Sequence, residues 1–253
     1  MIFDLQKASI LKRAAAFLLD AILLSILAVF FGWIIAACTG YNTHLTTVTD
    51  GYTRYAAEYG VTAELYTKDV SALTPEESEI LAAASNALAA DEAVVHAYQM
   101  VANLSTLIIT FGLLGAFMLL EFAVPLLFGN GQTVGKKIFG IAVMHLQGVR
   151  LGHMALFVRT VLGKFAVETM PLAMAALFIL SGMGYPVFLL IAAVLLVVQA
   201  VVLIASRENA MLHDKMAATV TVDMASQMIF DTHEQMLEYK KKAHAEKVAS
   251  SVY

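Results

Sequence analysis

Charge is scarce in this 253-residue sequence: Asp, Glu, Lys and Arg make up 14% of it, against 60% hydrophobic residues. A soluble globular chain is about half apolar and about a quarter charged, so composition alone points to an integral membrane protein. Cysteine is almost absent too. Cys38 is the only one, which excludes an intrachain disulfide and a cysteine-ligated zinc site. The seven histidines are scattered, and none has another histidine four residues away as a helical metal site does. No basic domain suggests nucleic acid, and no nucleophile–base or metal constellation suggests an enzyme. No cofactor and no metal are expected.

What the chain does have is apolar length. Residues 14–37, about 101–128, about 155–181 and 185–205 each supply the ~20 residues that a ~30 Å hydrocarbon core demands. The last two are separated only by Ser181, Gly182, Met183 and Gly184 ahead of Tyr185 and Pro186, a stretch suited to a tight helical hairpin. Basic residues set the orientation. Twelve of the sixteen fall in the N-terminus, the segment after the second span and the C-terminal tail, whereas loop 38–98 holds two, Arg54 and Lys68, against nine acids. The positive-inside rule then predicts both termini in the cytoplasm and loop 38–98 outside. The expected fold is an all-α transmembrane protein of about four spans, with a small cytoplasmic β-hairpin and an outer helical extension. Residues 1–13 form a cytoplasmic N-terminus, 14–222 the transmembrane domain and 223–253 a cytoplasmic tail.

Local signals refine this outline. Thr74, Pro75 and Glu77 read as N-cap, first helical position and third helical position of a capping box, and the Ala-rich run behind them is expected to continue into the second span. Tyr41, Tyr52, Tyr55, Tyr59 and Tyr66 precede it, suited to a lipid interface or to an unidentified protein partner of loop 38–98. Residues 139–146, a turn at Gln147-Gly148 and Val149-Arg150-Leu151 predict a hairpin, to which 218–222 could add a third strand. The tail reads as a helix on or near the inner leaflet. Ile35-Ala36-Ala37-Cys38 has the look of a lipoprotein cleavage box, but the apolar stretch before it is 24 residues, longer than a signal core of about 7–15. It also holds Asp20, which such a core does not need.

Charges inside the spans are the candidate site. Arg13 and Asp20 are seven residues apart, on one helical face about 10 Å apart along the axis. Arginine can snorkel to the headgroups; aspartate is too short to do so. An ionised Asp near mid-span costs about 2.5–3.5 kcal/mol on insertion scales, so a partner, water or a bound proton is expected. Glu121 lies at comparable depth in the second span. In the third span Arg159 reads as the amphipathic start, while Lys164 and Glu168, four apart, can pair ahead of Pro171. Gly131, Gln132, Thr133, Gly135, Lys136 and Lys137 resemble a phosphate loop only at a glance, since Asn130 and Lys137 stand where the pattern needs Gly and Ser or Thr. The glycines suit a tight turn at the inner surface, with the lysines on headgroup phosphates.

In this order the residues resemble the RDD family of bacterial membrane proteins, named for one arginine and two aspartates. Arg13 and Asp20 match the first two, and Asp214 in the 212–220 segment the third. Glu121, the 131–137 stretch with Gly140 and Gly148, and Arg159 resemble the family's central part. The resemblance covers about 11–32 and 110–222. It implies a helical fold in the bacterial inner membrane and a polar site of Arg13, Asp20, Glu121 and Asp214. It also brings in the exchange of monovalent cations for protons that has been suggested for the family. Four spans are few for alternating access, so this reading calls for a homo-oligomer. The alternative is a scaffold, assembly or stress-response component in which the Arg/Asp cluster is structural.

Overall fold

The computed structural model describes residues 5–181 and 186–250. Its elements follow in order: α1 (Ile10–Thr39), α2 (Tyr41–Tyr59), α3 (Ala63–Thr67) and α4 (Pro75–Ala90) come first. Next are α5 (Glu92–Phe128), α6 (Val134–Ile138), β1 (Ile141–His145), α7 (His153–Leu180) and α8 (Pro186–Ala205). Last come α9 (Leu212–Met216), β2 (Thr219–Asp223) and α10 (His233–Ser250). Among the described residues, α1, α5, α7 and α8 are long and apolar enough to cross a membrane, and they run through the four stretches expected. Only 6% of the most apolar window is buried in α1 and in α8. Phe17, Ile26, Val29, Leu190, Val197 and Ile204 instead point outward, where hydrocarbon is the solvent that suits them. Gly182, Met183, Gly184 and Tyr185, the expected hairpin turn, lie outside the described residues.

The chain divides into two compact units, Gly32–Ile109 and Met1–Phe31 with Thr110–Tyr253. In the first, the expected loop is almost wholly helical. The capping box forms as the sequence predicts: Glu77 N donates to Thr74 Oγ1 at 3.2 Å, and Thr74 N to the Glu77 carboxylate at 2.8 Å. The Ala-rich helix does not run on into the second span. Asp91 is extended (φ −80°, ψ 101°), ends α4, and caps α5 by accepting from Ala93 N at 3.0 Å and Val94 N at 3.3 Å. An aspartate that can satisfy the orphan amides of the next helix favours a break there over continuation. Arg54 and Tyr55 Oη also donate to Asp91. Val61, Leu65 and Ala84 form a small core with Tyr59 and Leu81.

In the second unit, β1 and β2 pair antiparallel, from Ile141 opposite Asp223 to His145 opposite Thr219. This corrects the expected hairpin. The turn exists, with Gly148 N donating to His145 O at 2.8 Å, but the return through Val149 and Arg150 makes only isolated bridges. Residues 219–223 take the full strand position because every second residue there is apolar and buries: Ala142, Met144, Val220 and Val222 share one face with Leu5 and Ile229. The opposite face carries Ile141 against Ala8 and Ala16, with Thr219 and Thr221 buried on it as well.

Among the described residues, two of the long apolar helices, α5 and α7, depart from α geometry. Met118–Ala123 and Val158–Thr169 are π-helical, with wide turns of a kind that is frequent at functional sites. Pro125 explains part of the first. It has no N–H to offer the carbonyl of Glu121, four residues earlier, and the Thr160 hydroxyl donates to that carbonyl instead, at 3.0 Å. The second changes which side chains share a face. In an α-helix Arg159 and Lys164 would stand about 140° apart, whereas i→i+5 winding brings residues five apart toward one side.

Candidate functional site: a buried charge cluster

The inner faces of α1, α5 and α7 and the short helices α6 and α9 converge on one cluster of charged side chains. Asp20, Glu121, Lys136, Arg159, His213 and Asp214 are all buried. Arg13, Lys164 and Glu168 border it, each with a side-chain exposure of 15%. Counting these nine, four carboxylates face four lysine and arginine side chains with one histidine between them. No buried side-chain nitrogen or oxygen among the described residues lacks a partner. A net charge near zero is what makes such a cluster tolerable in a low-dielectric interior.

Asp214 forms one half. Its Oδ1 accepts from Arg159 Nε at 3.0 Å, Arg159 Nη2 at 2.8 Å and Thr219 Oγ1 at 3.2 Å. Its Oδ2 accepts from Arg13 Nη2 at 3.4 Å and the backbone N–H of Met211 at 3.2 Å. Burial alone would raise this carboxyl, but the Arg159 guanidinium outweighs burial and holds it well below the usual carboxylate range. The neighbouring His213 completes this half. Its Nδ1 lies 2.8 Å from Glu168 Oε2 and its Nε2 3.2 Å from Arg159 Nη2. A guanidinium only donates, so Nε2 is the acceptor and Nδ1 carries the single proton, donating it to Glu168. Burial lowers the imidazole pKa in agreement with that neutral form.

Asp20 forms the other half and is held differently. It accepts from the Thr133 hydroxyl and, at 2.8 Å, from the backbone N–H of Gly135, in the first turn of α6. Among the described residues its nearest cation is Lys136, with Nζ at 4.0 Å. Lys136 Nζ also stands 3.6 Å from Glu121, which pairs more closely with Lys164 at 2.6 Å. Burial pushes the Lys136 ammonium down to about 7, against the pull of Glu121.

Close backbone approach sets both halves. A Cβ on Gly135 would stand 2.4 Å from the carbonyl oxygen of Ala16 and 2.9 Å from the Asp20 carboxyl, so only glycine lets α6 dock on α1 there. A Cβ on Gly163 would stand 2.6 Å from Cβ of His213, which fixes α9 against α7. Beside the cluster lies a cavity of about 460 Å³, with Phe17, Leu24 and Phe117 on its apolar wall and Asp20, Glu121 and Lys164 on its polar one. That volume falls within the range of small-molecule sites.

The structure places Arg13, Asp20, Glu121 and Asp214 in this one cluster, each with partners of its own. Arg13 touches Asp214 and Asn209 O, not Asp20. Lys164 and Glu168 do not pair with each other, since Lys164 turns to Glu121 and Glu168 to His213. Arg159 is no amphipathic start but sits at the centre, 2% exposed. Of the glycine-rich stretch, Gln132 bonds Ile141 O at 2.8 Å, and Lys136 turns inward rather than to headgroups. Lys137 stays exposed, its Nζ 3.8 Å from the Phe128 ring centroid. Sequence reasoning passed over His213 and Thr160, and placed Thr133 in a turn at the inner surface, where it instead donates to Asp20. The first has a signal, a histidine adjoining an intramembrane-type aspartate just past an apolar span.

Fold and site together define a multi-pass helical membrane protein built around a buried, charge-balanced cluster. The chain belongs to the RDD family, whose model matches residues 7–218 and so takes in every residue of the cluster. Neither the curated proteins nor the solved structures yield a match.

Proposed function

We propose that the protein is a carrier of the bacterial inner membrane that exchanges a monovalent cation for a proton at Asp20. The supporting observation is the contrast in how Asp20 is compensated. Its two bonds come from neutral donors, and its nearest cation stands at the 4.0 Å limit of ion pairing, beside a cavity. A carboxylate so placed can take a proton or a small cation as its missing counter-charge. Glu121, already paired with Lys164, is the second wall of that site. The distribution of Lys and Arg supports cytoplasmic termini, with residues 38–98 outside. Four spans support a homo-oligomeric carrier, because alternating access needs two bodies that rock against each other. No covalent chemistry is assigned to the chain.

The test is proton flux in proteoliposomes carrying a pH dye, on adding Na⁺, K⁺ or Li⁺. Cation-dependent flux in the wild type, abolished in a folded Asp20→Asn variant, is the expected result. No flux with any of the three from a well-folded wild type overturns the carrier and leaves a scaffold. The buried Arg159–Asp214 pair favours that second reading for its own half of the cluster, because both Asp214 oxygens already accept hydrogen bonds and Asp214 does not line the cavity.

A further inference from the structure

The tyrosines of residues 38–98 take no part in the charge cluster. Within the unit Gly32–Ile109 they converge: Tyr52 and Tyr55 from α2, Tyr66 from α3 and Tyr98 from α5 line a cavity of about 480 Å³, floored by Leu88 and Val94. Val94 is buried, while Tyr52, Tyr66 and Tyr98 are 42–55% exposed, so the rings form a rim over an apolar base. Apart from the tyrosines, the polar side chains on the wall are Ser85 and Gln99, and none of the lining residues is charged.

The charge of the unit is one-sided. It holds nine acids against two bases, and both bases are engaged, Arg54 with Asp91 and Lys68 with Glu77. Such a field attracts cations and repels anions. Inside the cavity a cation finds no carboxylate to pair with, but the negative faces of aromatic rings. One ring already serves this way, since the Arg54 guanidinium lies 4.7 Å from the centroid of Tyr55.

We propose that this cavity binds organic cations with an apolar body, of the alkylated or quaternary ammonium class. The apolar body rests on Leu88 and Val94, and the positive head takes the ring faces. An anion of the same shape meets the acidic field, and a neutral isostere gains burial but no attraction to the rings. A strongly hydrated inorganic cation is disfavoured because the wall offers no carboxylate to offset the loss of its water. The site is independent of the Asp20 exchange reading and stands if that reading fails.

The experiment is calorimetric titration of the full chain in a non-ionic detergent with benzyltrimethylammonium, its neutral isostere neopentylbenzene, and benzenesulfonate. The cation is expected to bind, to weaken with added salt, and to exceed the neutral isostere by about tenfold. Tyr98→Ala is expected to weaken it by a similar factor, while Tyr98→Phe, which keeps the ring, leaves the affinity near wild type. Tyr98 is half-exposed, so neither change threatens the fold, and matched thermal unfolding checks that. Absence of binding, equal binding of cation and neutral isostere, or an unchanged affinity in Tyr98→Ala overturns the proposal.

Discussion

Asp20, within the first span, and Asp214, nine residues past the last one, are the same residue type and both buried, yet they are held in opposite ways. Asp214 is fully buried and takes hydrogen bonds from two guanidiniums, a hydroxyl and a backbone amide. Asp20 takes a hydroxyl and an amide, with an ammonium at arm's length. The lesson is that burial does not settle how a carboxylate of the cluster is compensated. The charge of its donors does. Permanent cations in direct contact lock the ionised form, while neutral donors fix the side chain in place and leave its counter-charge open.

The comparison is broken most forcefully at Asp214. Asp214→Asn leaves Arg159 buried without its anion, and losing one partner of a buried pair costs about 3–5 kcal/mol. Thermal unfolding in detergent is expected to show a large drop or no folded protein, and a variant as stable as wild type removes the structural role. Next comes the dock that holds Asp20. Gly135→Ala drives a methyl into the Ala16 carbonyl oxygen, 2.4 Å away, and backbone cannot yield as a flexible side chain does. A loss of about 1–3 kcal/mol is expected, together with loss of the proposed exchange, because α6 and its capping Thr133 carry both of Asp20's donors away from it. An unaffected Gly135→Ala would show that α6 need not touch α1.

A pH series sharpens the same contrast. Burial lowers Lys136 from 10.5 to about 7, so between those values the unfolded chain binds more protons than the folded one. Stability therefore rises as pH climbs through that window, and the burial penalty is fully present below it. Lys136→Met is expected to flatten this rise, with Glu121 still compensated by Lys164 at 2.6 Å. Unfolding temperatures of both chains between about pH 7 and pH 10 decide the matter, and an unchanged slope assigns the dependence to another group.

Much of the fold was legible because its signals are local. Apolar runs long enough to span, and a Thr-x-x-Glu box with Pro at the first helical position, declare themselves within a few residues. Asp20, Glu121, Lys164 and Glu168 were legible too, as charges stranded in apolar stretches, whereas Asp214 entered through the family resemblance. Their pairing was not. The i, i+4 rule joins Lys164 to Glu168, but each takes a partner from another element, Glu121 for one and His213 for the other. Lys136 read as a headgroup contact because nothing near it in sequence reveals that Gly135 lets α6 press against Ala16 and Asp20. The strand partner of β1 was misassigned for a related reason. A nearby turn competes with a segment more than seventy residues on, and the choice rests on which of the two supplies a buried apolar face.

The central claim is that Asp214 is locked and Asp20 is not, and unfolding temperatures of Asp20→Asn and Asp214→Asn side by side, in one detergent at one pH, test it most directly. The account predicts that Asp20→Asn stays within about 1 kcal/mol of wild type, since an amide can keep a hydrogen bond to the Gly135 amide. It also predicts that Asp214→Asn falls by about 10 °C or fails to fold. Equal losses in the two variants would contradict it, making both aspartates parts of one structural cluster.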